Sequence, residues 1–412
     1  MLRPEGPEQV AQALAFARGQ DAPLAIRSGG HGISGRSTND GGVVIDVGAR
    51  NGIELLDRAR GRVRLGPGAR WGEVARTLAP HGLGMSSGDY GDVGVGGLAT
   101  AGGIGFLVRR HGLTIDHVVA AELVLADGTH VRADAEHHPD LLWAVRGAGG
   151  NFGIVTALEL EAYQVGDVVF ATMDLDATRT ATLLERWGAH LEEAPRELTS
   201  FLTLVAGRGG PPLARLYSVY AGDDAAAATT ALTPLLEIGP LVDQQALLVP
   251  YHAIVPPQGA VHDGSAAVVV RGGLLDHLTP AAAEVLQEGL RSGASPFIQL
   301  RSVGGAVNDV DPMATAYAHR TQRFAVNATG AGSRAERLNR LWDELDPHLN
   351  GLYISFETDQ RPERLHAAYP GETLSRLRRL KARYDPDNVF DQNFPIPPAE
   401  RSAPREPALR GS

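Results

Sequence analysis

The sequence predicts an α+β protein of two textures: short strands among glycine-rich loops, then one antiparallel sheet covered by helices. Three observations carry this reading. Most of the 50 glycines fall in the first 165 residues, between short apolar runs. From about residue 166 to 365 strand-like segments alternate with Ala/Leu-rich helical ones. The hydrophobic content of 43% is ample for large cores, and 412 residues suit about two or three domains. The boundaries are drawn at 1–165, 166–365 and 366–412.

Taken in order, Pro7 opens a helix with Val10, Leu14 and Ala17 on one face. Residues 23–27 and 43–47 read as buried strands, 55–65 as a hairpin-like pair around Arg60-Gly61, and 71–78 as a short helix. Residues 82–105 are so rich in glycine that a loop system set by the backbone is expected. Segments 118–125 and 130–133 flank Asp127-Gly128, a strong hairpin signal. The second part gives helices at 177–191, 225–237, 280–291 and 333–345, the second broken near Pro234. Its strands fall at 168–175, 213–220, 296–303, 324–328 and 352–356. A basic helix opens the stretch 375–398, which ends in a proline-rich tail.

Composition excludes several classes of function. A net charge of −10, with Lys381 the only lysine, argues against a nucleic-acid surface. The absence of cysteine removes disulfides, thiolate metal sites, iron–sulfur clusters and cysteine nucleophiles. No His/Asp/Glu spacing suggests a metal site. The polar start lacks the apolar core of a signal peptide, and no long uncharged apolar stretch would span a bilayer. A cytoplasmic protein, monomer or homodimer, without membrane or nucleic-acid partners is expected.

Four motifs carry the chemistry. The first is Arg27-Ser28-Gly29-Gly30-His31, followed by Gly32 and Ser34, where paired glycines let the backbone pass close to a pyrophosphate. Alone, such a turn is more often a plain loop with a solvated histidine. The second runs from Asp92-Val93-Gly94-Val95-Gly96-Gly97 through Gly102-Gly103-Ile104-Gly105 to Leu113 and Asp116. Gly94 to Ala99 fits the dinucleotide fingerprint, with Asp116 where a ribose-binding acid belongs. However, the polar, glycine-rich segment 86–92 is no buried parallel strand, so a Rossmann site is not expected. The third is the run from Asp140 to Val155, with Asn151 and Gly153. The fourth runs from Lys381 through Tyr384 to Phe390, then Asn393.

Spread over nearly the whole chain, these motifs together resemble the berberine-bridge-enzyme-like branch of the vanillyl-alcohol-oxidase-type FAD enzymes, notably its bacterial members. The resemblance implies a two-part PCMH-type FAD-binding domain, with 366–412 returning to it, and a separate substrate domain. It implies FAD attached covalently through His31. Arg27, Ser28, Gly29, Gly30, Gly32 and Ser34 would hold the cofactor in the first loop. Tyr90, Val93, Gly94, Gly97, Gly102, Gly103, Gly105 and Leu113 would do so in the second, where backbone N–H groups form an anion nest. Asn151, Gly153, Val155, Tyr384 and Asn393 complete the set. Tyr90 stands where bicovalent relatives have a cysteine, so no second cysteinyl link is implied. Met1 sits almost on the segment matching Arg3-Pro4, so the first element is truncated or reduced.

The implied activity is an oxidase that takes a hydride from an alcohol, amine or natural-product intermediate and passes electrons to O2, giving H2O2. Valine at position 93 points that way. A flavin-dependent cyclase or oxygenating enzyme of secondary metabolism, and a non-redox flavin-binding protein, are the alternatives. On the substrate side Gln299 and Arg301 share a strand face ahead of Gly304-Gly305. Tyr353, Ser355 and Glu357 are expected to share another. Tyr353 is the expected base, assisted by Tyr90 or Glu357, its phenol acidified by Arg301. His319 is a further catalytic candidate. Arg301 with Glu357 reads equally as a structural ion pair, and His319 as a satisfied core histidine. The apolar loop 249–264, with Tyr251 and His252, favours a bulky substrate over a sugar.

Overall fold

The computed structural model describes residues 1–400 except 21, 208, 257–267 and 393. Helix Pro7–Arg18 starts at its proline and buries Val10, Leu14 and Ala17, as the periodicity requires. Strands Leu24–Arg27 and Val43–Asp46 pair in parallel, with Arg27 opposite Asp46. A five-stranded antiparallel sheet follows, in the order Ile53–Asp57, Arg62–Leu65, Ile154–Glu161, Val118–Val124, His130–Ala133. Helices Trp71–Leu78 and Pro139–Ala148 pack Trp71, Val74, Leu142 and Trp143 into its core.

The second part is one seven-stranded antiparallel sheet. Its order is Leu241–Pro250, Asp167–Asp176, Leu213–Tyr220, Leu198–Val205, Phe297–Ser302, Phe324–Ala331, Val268–Leu275. One face is covered by helices Thr180–Glu193, Ala225–Leu232, Pro280–Arg291 and Ala335–Leu345, which bury Trp187, Leu286 and Trp342 against it. The α-helix ends at Leu232, and a 3-10 segment Thr233–Glu237 takes over at Pro234, which has no N–H to continue the ladder. The other face turns towards the first part. Helix Glu372–Tyr384 rejoins the first core, where Leu374, Leu377 and Tyr384 pack with Trp71 and Trp143.

Three sequence expectations need correction. The segment 82–105 is not loop throughout, because Val95–Ala101 forms a helix. Residues 352–356 are not a strand: Ile354–Phe356 is a single 3-10 turn, closed by the Phe356 N–H donating to the Tyr353 carbonyl at 3.2 Å. Strands Leu198–Val205, Leu241–Pro250 and Val268–Leu275 were not anticipated. Among the described residues no helix is long and apolar enough to cross a membrane.

Candidate active site

A cavity of about 780 Å³ lies between the glycine loops and the uncovered face of the seven-stranded sheet. That places it towards the upper end of the range for small-molecule sites, about 300–1,000 Å³. One wall is the loop after Leu24–Arg27, where Ser28, Gly29, Gly30, His31, Gly32 and Ser34 all face the cavity. The second glycine loop adds Tyr90, Val93, Gly94 and Gly97, and the third motif adds Gly153 and Val155.

The two glycine loops touch backbone to backbone. A Cβ on Gly29 would lie 2.5 Å from the nitrogen of Gly94, and one on Gly94 would lie 2.6 Å from the Gly29 Cα. Arg70 ties them further, donating through Nη1 to the carbonyls of Gly29 at 2.8 Å and Asp92 at 2.5 Å. Only glycine permits this approach, which brings both loops to one ligand.

In the second loop the N–H groups of Gly94 and Gly97 make no backbone hydrogen bond among the described residues. The N–H groups of Val93, Val95 and Gly96 donate to the carbonyls of Tyr90, Ala69 and Pro67, so they are engaged. In the first loop the N–H groups of Gly29, Gly30, Gly32, Ile33 and Ser34 make no backbone hydrogen bond among the described residues. That row of donors, against glycines that leave no side-chain bulk, fits a pyrophosphate.

The His31 and Tyr90 rings stack with centroids 5.2 Å apart and planes 26° from parallel. The sheet supplies the opposite wall. Phe297, Gln299 and Arg301 project together from one strand into the cavity, as their spacing requires. Across neighbouring strands Arg301 pairs with Phe201, and Phe201 with Tyr217, so the three form a row along the sheet. Arg301 is buried, with its guanidinium 4.3 Å from the centroid of the Phe356 ring. It donates to Asn327 at 3.2 Å and to Asp89 at 2.8 Å.

Tyr353 also lines the cavity, its hydroxyl accepting the Gly103 N–H at 3.0 Å. Burial pushes its pKa up, and the hydrogen bonds from Ser355 and Gly103 and the charge of Arg301 oppose that only in part. The expected acidification by Arg301 is therefore outweighed by desolvation. A Cβ on Gly102 would meet the Tyr353 ring at 2.7 Å, so Gly102 and Gly103 seat this tyrosine and do not line the cavity.

Several expected site residues lie elsewhere. Glu357 is fully buried behind the turn: its carboxylate meets Arg364 at 2.9 Å and Arg271 at 3.4 Å and accepts the N–H groups of Gly272, Thr358 and Asp359. It pairs with these arginines and not with Arg301. His319 bonds the Ala368 carbonyl at 2.9 Å outside the cavity, and burial brings its pKa down to about 4. Asp116 is held by Arg320 at 2.7 and 3.0 Å and accepts the Leu113 N–H, which disposes of the ribose-binding reading.

Arg27 packs under Gly30, Gly105 packs on Gly88, and Leu113 is core. Asn151 bonds the Ile396 N–H and the carbonyls of Ala148 and Phe394, bracing the C-terminal segment, and Tyr384 donates to Asp140 at 2.9 Å. Asn393 lies outside the described residues. Tyr251 donates to the Met85 carbonyl at 3.0 Å, and neither it nor His252 lines the cavity. The rest of that loop, from 257, is outside the described residues. Sequence reasoning missed Arg36, Asp89, Phe201, Tyr217, Phe297 and Phe356, which all line the cavity. Phe297 was readable from its two-residue spacing to Gln299. Phe201 and Tyr217 needed the strand register.

Residues 1–134 match the family model described as FAD binding domain, and residues 353–397 match berberine and berberine like. The (R)-6-hydroxynicotine oxidase of Paenarthrobacter nicotinovorans is 29% identical over 414 residues, 94% of this chain and 89% of that protein. The structure of 6-hydroxy-D-nicotine oxidase from Arthrobacter nicotinovorans superposes with a TM-score of 0.84 at 26% identity, covering 96% of this chain and 91% of that one. Xylooligosaccharide oxidase from Myceliophthora thermophila C1 gives 0.85 at 26%, covering 97% and 91%. With the two family models matched at its two ends and the shared fold between them, the chain is a FAD-dependent oxidoreductase similar to the berberine-bridge-enzyme-like enzymes.

Proposed function

We propose that this enzyme is an oxidase whose FAD is joined through the imidazole of His31, and that its substrate is an alcohol or amine carrying an aromatic ring. The observation that supports the link is His31 itself, on the cavity wall in the middle of the donor-rich first loop, stacked on Tyr90. An imidazole is neutral and nucleophilic near pH 7, the property such an attachment needs. With no cysteine in the chain, a second thioether link has no donor. The relatives named above are oxidases by name.

Bound FAD supplies the hydride acceptor and hands two electrons to O2, which with two protons becomes H2O2. The protein places the substrate and takes its proton. Phe201, Tyr217, Phe297 and Phe356 give the sheet side an aromatic wall, which suits stacking on a ring better than holding a polyhydroxyl chain. This wall replaces Tyr251 and His252 as the ground for that preference.

Loss of a hydride from the substrate carbon leaves an O–H or N–H proton to be accepted. Tyr353, kept protonated by burial, suits the role of hydrogen-bond partner, oriented by Gly103. Asp89 is the one carboxylate among the described lining residues, so it replaces Tyr353 as the proposed acceptor. Val93 lines the cavity, in keeping with access of O2 to the cofactor.

Two experiments test the reading. Acid-precipitated protein should stay yellow, and its His31 peptide should carry the flavin mass; a colourless pellet with free FAD in the supernatant would defeat the covalent link. Oxygen uptake should be seen with hydroxylated N-heterocycles or aromatic amines. Efficient turnover confined to oligosaccharides would defeat the substrate class.

A further inference from the structure

Three described lining side chains carry formal charge at neutral pH: Arg36, Asp89 and Arg301. Asp89 and Arg301 neutralise one another at 2.8 Å. Arg36 has no carboxylate within 4.0 Å among the described residues. It is buried, 8% exposed, and its neighbours are uncharged: the side-chain amide of Gln360 and the face of Phe394, whose centroid lies 5.4 Å away. The nearest acid that acts on it electrostatically, Glu357, is already committed to Arg271 and Arg364.

A buried guanidinium without a counter-charge is costly unless a ligand brings one. Desolvation brings the Arg36 pKa down to about 10, the direction expected for a cation short of a partner. Five residues after His31, it sits between Ser34 and Ser37, which also line the cavity, on the loop whose backbone N–H groups form the row of donors.

We propose that Arg36 is the side-chain counter-charge for the pyrophosphate of FAD, joining the backbone donors of Gly29, Gly30, Gly32, Ile33 and Ser34. The pyrophosphate is the anionic part of FAD, and a planar guanidinium pairs with two phosphate oxygens at once. The role depends on FAD binding and not on the covalent link, so it stands or falls separately from the attachment at His31. Arg36 thereby selects the dinucleotide over the bare isoalloxazine and ribityl chain.

The test uses the full-length His31→Ala chain, freed of flavin and titrated with FAD and with riboflavin by fluorescence quenching. Adding Arg36→Gln should weaken FAD binding by about 10- to 100-fold, a range typical of a lost hydrogen bond to a charged group. Riboflavin binding should change little, because it has no phosphate. Arg36→Lys should restore part of the FAD affinity, and added salt should weaken FAD binding more with arginine present than with glutamine. Unchanged FAD affinity in Arg36→Gln would overturn the proposal, as would equal weakening of FAD and riboflavin. If the flavin-free His31→Ala chain does not stay folded, flavin content per folded chain is measured with His31 intact. Arg36→Gln should then purify with clearly less FAD, and full FAD content would overturn the proposal.

Discussion

Asp89 and Arg301 meet at 2.8 Å across the cavity, one from the second glycine loop and the other from the seven-stranded sheet, so a single ion pair joins the cofactor wall to the substrate wall. Breaking a buried pair from one side leaves an uncompensated charge. Asp89→Asn is expected to destabilise the fold by about 3 kcal/mol, the lower end for buried pairs because Asp89 retains some exposure. The double variant with Arg301→Gln should cost less than the two single changes summed. Chemical unfolding of all four proteins measures this, and strict additivity would show that the pair is not coupled.

Kinetics should separate Asp89 from Tyr353. With any substrate found in the oxygen-uptake screen, Asp89→Asn should slow flavin reduction by about 10²–10⁴-fold, the usual contribution of a positioned base. Tyr353→Phe should slow it less, while leaving the buried Gly103 N–H unpaired at a stability cost of about 1–3 kcal/mol. Stopped-flow reduction of both variants decides the matter. The reverse order of effects would return the role of base to the phenol.

Glu357→Gln should act on stability above all. Its carboxylate holds Arg271, Arg364 and three backbone N–H groups with no exposure to solvent. A loss of about 3–5 kcal/mol is expected, visible as a large fall in melting temperature. A variant that melts with the parent but has lost activity would instead place Glu357 in the chemistry.

A buried histidine and a half-buried one predict acid lability above the carboxylate range. Burial is the main reason that the pKa values of His319 and His111 fall to about 4 in the fold. At pH 7 both states hold neutral imidazoles. As pH drops through the ordinary value near 6.5, the unfolded chain takes up protons that the folded one refuses until about 4, so stability falls across that window. For His319 alone the loss approaches roughly 3 kcal/mol by pH 4. Urea unfolding at pH 7 and pH 5 should show the decline, and His319→Gln should flatten it.

The cofactor loops were legible because glycine spacing reports backbone need directly: the contact of Gly29 with Gly94 admits no other residue. Gln299 and Arg301 were legible because strand periodicity fixes which residues share a face. Asp89 and Arg36 were not, since each is an ordinary polar loop residue until the sheet and the C-terminal segment close around it. Glu357 misled for a related reason. Alternation from Tyr353 assumes extended backbone, and one 3-10 turn sent its carboxylate away from the cavity. The raised Tyr353 pKa was also out of reach, because burial against Gly102 depends on a contact some 250 residues distant in sequence.

Lys381 bonds the carbonyls of Asn151 and Phe390 at 2.8 Å and Asp385 at 2.7 Å, with no exposure to solvent. As the only lysine in the chain, it leaves the folded surface with no ε-amine for amine-directed chemistry. Succinimidyl esters, aldehyde fixatives and lysine acylation will find no ε-amine while the fold holds. The side chain that pins the C-terminal segment to the first core thus doubles as a chemical gauge of unfolding: acylation at position 381 marks molecules that have opened.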